Sequence, residues 1–341
     1  MAARDDGHIC VNDMTEAHVI DLHAHVVLEE TLGAAGRFGP ELGVRDARPF
    51  FRVGDYVLDG VRYRGSPFMD ANLRIAAMDA VGIDFQVLSP NPLTYFHFID
   101  AATAAEYCVR HNDVLAALVA QHPQRLAGLA ALPMQDPLRA ADEARRAVGD
   151  LGLLGVAIGS DFGYPLDAVA LDPFYATLVA LDVPLFIHPA PAGIDGPAGD
   201  PNLKRFDLDI VAGFAAQETL AVATLIYGEV LERHPELDVW ISHGGGAAMF
   251  LLGRLADAGR KRAWAPTALR ADGAFEAALR RLWFDTHVHA PRSFAMLREI
   301  VGDDRLVFGT NFAGWDQGTA GDVRAFASPF ADNARRLLRR S

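Results

Sequence analysis

The chain has 341 residues, 51% of them hydrophobic, which is enough for a large core and a usual size for a (β/α)8 barrel. Lys and Arg number 31 against 44 Asp and Glu, a net charge of −13 with no basic block, and this excludes nucleic acid as a partner. Cys10 and Cys108 make no disulfide framework, no apolar run reaches the ~18 residues of a bilayer span, and the first residues lack a signal-type apolar core, so a cytoplasmic protein with no membrane partner is expected.

Residues 1–17 read as a polar lead-in, and the first strand spans 19–25. Residues 26–69 are rich in Gly, Pro, Arg and Asp and lack a helical period. A loop of that length in a compact domain is usually functional. It is expected to be an insertion near the site, with a hairpin at 56–63 turning on Asp59-Gly60. From Asp70 the pattern becomes regular. Helices are expected at 72–81, 101–121, 137–148, 173–181, 212–233, 247–257, 291–301 and 323–339. Strands are expected at 85–88, 126–132, 153–158, 183–187, 238–242, 282–285 and 306–308. Alternating strands and helices imply parallel β with right-handed crossovers. With the first strand they make a closed (β/α)8 barrel, its core at 19–312, in a single domain covering 1–341. A doubly wound sheet is the competitor, but no Gly-x-Gly-x-x-Gly follows the first strand.

In a barrel, catalytic groups sit at the C-terminal ends of strands. Alternate residues of a strand share a face, so Asp21, His23 and His25 point one way, and the two imidazoles can share a metal ion. His188 closes strand five, His243 strand six and Asn311 strand eight. In a closed barrel these five converge on one mouth. Asp285, His287 and His289 repeat the Asp-x-His-x-His spacing at the end of strand seven.

Several motifs run in order along nearly the whole chain, about 19–312. They are Ile-Asp-Leu-His-Ala-His at 20–25, Arg-Ile-Ala-Ala-Met-Asp-Ala-Val-Gly-Ile at 74–83 and Ala-Leu-Pro-Met-Gln at 131–135. Phe-Ile-His-Pro at 186–189, Gln-Glu-Thr at 217–219, Leu-Glu-Arg-His-Pro-Glu-Leu at 231–237 and His-Gly-Gly-Gly at 243–246 follow. The pattern resembles the amidohydrolase superfamily, and within it the branch of 2-amino-3-carboxymuconate-6-semialdehyde decarboxylase. The resemblance implies one divalent metal, zinc first and manganese second, held by His23, His25 and His188. It makes His243 the acid/base. It implies that arginines grip a substrate carboxylate: Arg62 in the insertion, Arg254 in the helix after His-Gly-Gly-Gly, and Arg262 at a weaker match. In relatives the second of these reaches the neighbouring subunit's site, so a homodimer with Arg254 crossing the interface is expected. A strand-seven histidine, here His289, is common in the family without being a primary ligand, and a substrate role for it is weighed against a structural one.

The chain departs from that pattern at Asn311, where relatives carry Asp. Asn is neutral, binds a metal only through its carbonyl oxygen, and cannot serve as a base. The alternatives are a metal held by three histidines, a weak or absent metal, or an introduced change that traps a complex. The first is preferred, since three histidines hold zinc with an open position. Phe186, Phe312 and Trp315 are candidates for an aromatic pocket lining. The leading expectation is a metal-dependent, non-oxidative decarboxylase of an aromatic or muconate-type carboxylate. Two others stand beside it: a hydrolase or hydratase of a lactone, amide or enol acid, and a barrel that lost its chemistry with Asn311.

Overall fold

The computed structural model describes residues 14–191, 200–317 and 323–340. Cys10 and the first part of the expected lead-in lie outside these residues. The first strand, β1 (Ile20–Val26), is buried along its whole length, as strands of a parallel sheet covered on both faces are. An antiparallel sheet follows: β2 (Glu41–Arg45), β3 (Arg48–Val53) and β4 (Tyr56–Asp59). The insertion after strand one is therefore folded, and the expected hairpin at 56–63 is corrected. Asp59 is the last residue of β4, and the turns fall earlier. Asp46 and Ala47, at φ 50° and 62°, link β2 to β3, and Gly54, at φ 57°, links β3 to β4. Such left-handed pairs match the twist of a two-stranded ribbon, a signal that Asp-Ala does not carry in sequence.

The regular part begins at α1 (Ala71–Val81). The Asp70 carboxylate accepts from the amides of Asn72 and Leu73 at its start, and Gly82, at φ 77°, ends it. Then come β5 (Phe85–Pro90), α2 (Ala101–Gln121), β6 (Leu126–Gly128), β7 (Ala130–Ala131), α3 (Pro137–Gly149), β8 (Val156–Ile158) and α4 (Asp172–Leu181). Next are β9 (Leu185–Ile187), α5 (Leu208–Val211), α6 (Gly213–Tyr227), α7 (Val230–Arg233), β10 (Val239–Ile241), α8 (Leu252–Lys261) and α9 (Ala274–Leu279). The chain ends with β11 (Trp283–Asp285), α10 (Pro291–Val301), β12 (Leu306–Val307), α11 (Val323–Ala327) and α12 (Ala331–Leu337).

The parallel strands run β1-β5-β6 and β7-β8-β9-β10-β11-β12. β6 and β7 are one barrel strand interrupted at Leu129, whose amide donates to the Leu88 carbonyl at 2.8 Å. The ring closes between first and last strands: the Leu22 amide donates to the Phe308 carbonyl at 2.9 Å, and Ala24 bridges Phe312. The fold is the expected (β/α)8 barrel. One apolar cluster joins Ile20, Leu22, Phe186, Trp240 and Val307 to Met14 and Leu337, so the N-terminal end of the barrel is plugged. Phe186 and Trp240 stack there at 3.9 Å between ring centroids.

Three helices differ from expectation. The run 212–233 is two helices, broken at Gly228 and at Glu229, which sits at φ 54°. The helix expected at 247–257 starts only at Leu252, because residues 247–251 form turns after the triple glycine. The last helix is divided by a 3-10 turn at Ser328–Phe330, where Pro329 removes a backbone donor. By length and composition the stretch Leu208–Tyr227 is apolar enough to cross a bilayer, which corrects the expectation that no run qualifies. Its buried side, with Val222, Leu225 and Ile226, packs into the core, and it carries the buried Glu218.

Candidate active site

Strand ends and the loops after them place the polar groups. His23 and His25 lie on β1, His188 follows β9, His243 follows β10, Asp285 ends β11 with His287 two residues on, and Asn311 follows β12. The imidazoles meet in a chain: ring centroids are 5.1 Å apart for His23 and His25, 4.7 Å for His25 and His188, 4.9 Å for His188 and His243, 5.4 Å for His243 and His287, and 4.8 Å for His287 and the exposed His289.

Each of the three expected ligands has its Nδ1 engaged by an oxygen. His23 Nδ1 is 2.8 Å from Asp285 Oδ2. His25 Nδ1 is 2.8 Å from Ser89 Oγ and 3.2 Å from the Pro90 carbonyl. His188 Nδ1 is 2.7 Å from the Pro189 carbonyl. A carboxylate and a carbonyl only accept, so each Nδ1 carries the proton and each Nε2 keeps a lone pair. The Nε2 atoms of His23 and His25 then face each other at 3.3 Å, two lone pairs with no proton between them. Among the described residues the buried His188 Nε2 has no hydrogen-bond partner. Burial, and after it the neighbouring imidazoles, keep all three rings well below the usual histidine range, hence neutral. The ligand atoms of His23, His188 and His243 lie within 4.8 Å of one another, and the His25 ring centroid is 4.7 Å from that of His188; clustered neutral imidazoles are the donor set that a divalent cation of the first transition row takes.

Supports lie behind these ligands. Asp21 accepts from the His23 amide at 3.1 Å, from Thr310 Oγ1 at 2.7 Å and from Gln86 Nε2 at 2.8 Å. Burial pushes its carboxyl up to about 6. The buried Arg74 donates to Gln86 Oε1 at 3.0 Å and to the His25 carbonyl at 2.6 Å, fixing β1 against β5.

His243 is built differently. Its Nδ1 is 2.6 Å from Glu218 Oε1, which also accepts from Ser242 Oγ. Burial alone would lower this imidazole, but the Glu218 carboxylate outweighs it and raises His243 to about 9. Gly244, Gly245 and Gly246, at φ 60°, 76° and 64°, make the tight turn here, and a Cβ at Gly246 would lie 2.2 Å from the Ala215 carbonyl.

A cavity of about 750 Å³ opens beside the histidines. His25, His188, Asn311, Arg62, Phe214 and Trp315 line it, with Tyr56 and Tyr63 from the insertion. Trp315 thus takes the expected lining role. Phe186 is core, and Phe312 is buried under Arg74, 5.5 Å from its guanidinium. Arg254 and Arg262 are exposed and do not line this cavity. His289 is exposed and lies 3.4 Å from Asp316 Oδ2. Asp316 also accepts from Asn311 Nδ2 at 2.6 Å and lies 3.1 Å from His287 Nε2. Against the effect of burial, the His287 contact holds its carboxyl below the usual range.

Sequence reasoning gave no role to Glu218, Asp285 or Asp316. Glu218 sits in the Gln-Glu-Thr motif and Asp285 in the second Asp-x-His-x-His, so both carried a signal. Asp316 carried none.

A family model described as amidohydrolase matches residues 20–340. A gamma-resorcylate decarboxylase of Polaromonas sp. is 31% identical over 258 residues, 73% of this chain and 72% of that one. A 2-amino-3-carboxymuconate-6-semialdehyde decarboxylase of Dictyostelium discoideum is 28% identical over 296 residues, 86% of this chain and 81% of that one. The crystal structure of a variant 5-carboxyvanillate decarboxylase of Novosphingobium aromaticivorans, with bound manganese, matches at a TM-score of 0.74 and 25% identity over 94% of this chain and 97% of that one. With barrel, histidine cluster and order of motifs in agreement, the chain belongs to the amidohydrolase family, in the branch resembling 2-amino-3-carboxymuconate-6-semialdehyde decarboxylase.

Proposed function

We propose that this protein is a metal-dependent, non-oxidative decarboxylase of a small aromatic or muconate-type carboxylic acid. The observation that carries this reading is the cluster of His23, His25 and His188, whose ring centroids lie 4.7 to 5.1 Å apart with each Nδ1 engaged by an oxygen, beside a His243 whose Nδ1 faces Glu218. The relatives that are decarboxylases of such acids support it. His23, His25 and His188 would hold the cation, with Asn311 offering only a carbonyl oxygen. Zinc suits three imidazoles best, and the manganese of the solved relative makes manganese the second candidate. A divalent cation there supplies Lewis-acid polarisation of a carboxylate or a neighbouring oxygen.

The chain's own groups do the rest. Arg62, at the cavity wall, pairs with a carboxylate, and Phe214 and Trp315 accept a planar ring and exclude water. His243 delivers its proton to the ring carbon that bears the carboxylate, the carbon–carbon bond breaks, CO2 leaves, and solvent reprotonates the imidazole. Glu218 keeps the proton on His243 until that step. Asp285 holds His23 in its ligand tautomer.

The unit we propose is a single domain that works as a homodimer, with the exposed Arg254 of α8 serving the partner's cavity. A reducing, cytoplasmic setting belongs to the same reading and is supported by the free, buried Cys108. The test is a screen of dihydroxybenzoates, carboxyvanillate and muconate-type acids with metal-loaded protein, following CO2 release. Loss of CO2 that vanishes on chelation supports the proposal. Water addition without CO2 overturns it in favour of a hydratase.

A further inference from the structure

Asn311 puts a neutral amide at the end of the last strand, and an anion lies beside it. The chain after β12 folds back on itself. The Gly314 amide donates to the Asn311 carbonyl at 2.8 Å, the Gln317 amide to the Gly314 carbonyl at 3.2 Å, and the Ala313 amide to Gln317 Oε1 at 2.7 Å. Asn311 and Ala313 adopt φ values of 50° and 61°, which makes the turn tight. Asp316 thereby returns to the site. Its Oδ1 accepts from Asn311 Nδ2 at 2.6 Å, and its Oδ2 faces His287 Nε2 at 3.1 Å and His289 Nε2 at 3.4 Å. Its carboxylate, His287 and His243 bring their ligand atoms within 4.8 Å of one another.

The carboxylate decides which way the Asn311 amide lies. A carboxylate has no donor, so only the NH2 end can face it, and the amide oxygen must face away. Gly314 locks the same group from behind: a Cβ there would lie 2.8 Å from Asn311 Nδ2 and 2.9 Å from its Cγ. Asn311 lines the cavity with His25 and His188. An amide whose N–H is given to an anion is also a stronger oxygen donor, because hydrogen bonds in series polarise one another.

We propose that Asp316 is a positioning residue that converts Asn311 into a fixed oxygen donor toward the cation of the three histidines, so that the strand end and the loop together offer it an oxygen and a nearby charge. Asn311 offers the oxygen and Asp316 offers the charge, one shell further out. The inference rests on the metal-dependent reading given above.

The test is Mn2+ affinity, measured by competition with a chelating dye on full-length wild type, Asp316→Ala, Asn311→Asp and the double variant. Asp316→Ala is expected to weaken Mn2+ binding about 10- to 100-fold, the usual effect of removing the partner of a metal-site group. Adding Asn311→Asp to Asp316→Ala is expected to restore affinity, since a carboxylate at the strand end no longer needs an orienting neighbour. Gly314→Ala, which keeps Asp316 but displaces the Asn311 amide, is expected to weaken binding as well, and it serves where Asp316→Ala does not fold. Unchanged affinity in Asp316→Ala or Gly314→Ala, or a double variant as weak as Asp316→Ala, overturns the proposal alone. Wild-type protein that takes up no stoichiometric Mn2+ or Zn2+ overturns both the proposal and the metal-dependent reading.

Discussion

Glu218 Oε1 lies 2.6 Å from His243 Nδ1 and is completely buried, so the proton on His243 is set by a carboxylate on α6. Removing that charge leaves burial, which lowers the imidazole. Glu218→Gln is therefore expected to bring His243 down from about 9. A reaction that needs the protonated ring then keeps its rate only at lower pH, and turnover at neutral pH drops about 10²-fold. Imidazole NMR titration together with a pH–rate profile checks both effects. A His243 titration that stays near its wild-type position would refute the pairing.

The ligands and the proton carrier are separable. His188→Ala, His23→Ala and His25→Ala each remove one converging lone pair and are expected to lose stoichiometric metal after dialysis. His243→Ala is expected to keep metal and lose turnover. Elemental analysis beside CO2 release distinguishes the two groups. A metal-free His243→Ala would make that residue a ligand instead.

Asn311→Asp in otherwise wild-type protein would place a second carboxylate against Asp316, which now accepts from the Asn311 amide at 2.6 Å. Two like charges in contact cannot both ionise cheaply. The single variant is expected to melt several degrees lower at pH 7, with the deficit shrinking at acidic pH as one carboxyl protonates. Calorimetry across pH 5–7.5 measures this. Equal stability at every pH would mean that the two side chains separate.

Arg62 lines the cavity and Arg254 does not. Arg62→Met is expected to raise KM about 10-fold with less change in kcat, as loss of a carboxylate grip does. Arg254→Ala is expected to impair the partner's cavity. Mixing inactive Arg254→Ala and inactive His243→Ala protein should then regenerate one complete site per mixed dimer and restore part of the activity. No recovery on mixing would count against a shared site.

His111 supplies a pH effect away from the site. Its ring is buried, and burial, against the effect of the neighbouring Asn112, lowers it from 6.5 to about 4. Below pH 6.5 the unfolded chain takes up a proton there that the folded chain refuses, so stability falls as pH drops from 6.5 toward 4. The slope from this one group is about 1.4 kcal/mol per pH unit. Urea denaturation of wild type and His111→Leu at pH 7 and pH 5 should show a shallower fall in the variant. Parallel curves would remove His111 as a cause.

The barrel and the gathering of histidines at its mouth were legible in the sequence because both rest on local signals. Asp70 and Gly82 bound α1 through caps that depend on neighbouring residues only. His23, His25, His188 and His243 each end an apolar run, and the strand-end rule of a barrel gathers them without knowledge of any distance. The tertiary structure alone decided the partners. Asp285 is 262 residues from His23 and Glu218 is 25 from His243, and no periodicity links such pairs. It also decided where the helix after Gly228 breaks, how the insertion turns at Asp46 and Gly54, and that Asp316 comes back to Asn311. Those outcomes follow from close packing and from satisfying buried polar groups, which are properties of the whole chain, whereas hydrophobic period and capping belong to a few residues at a time.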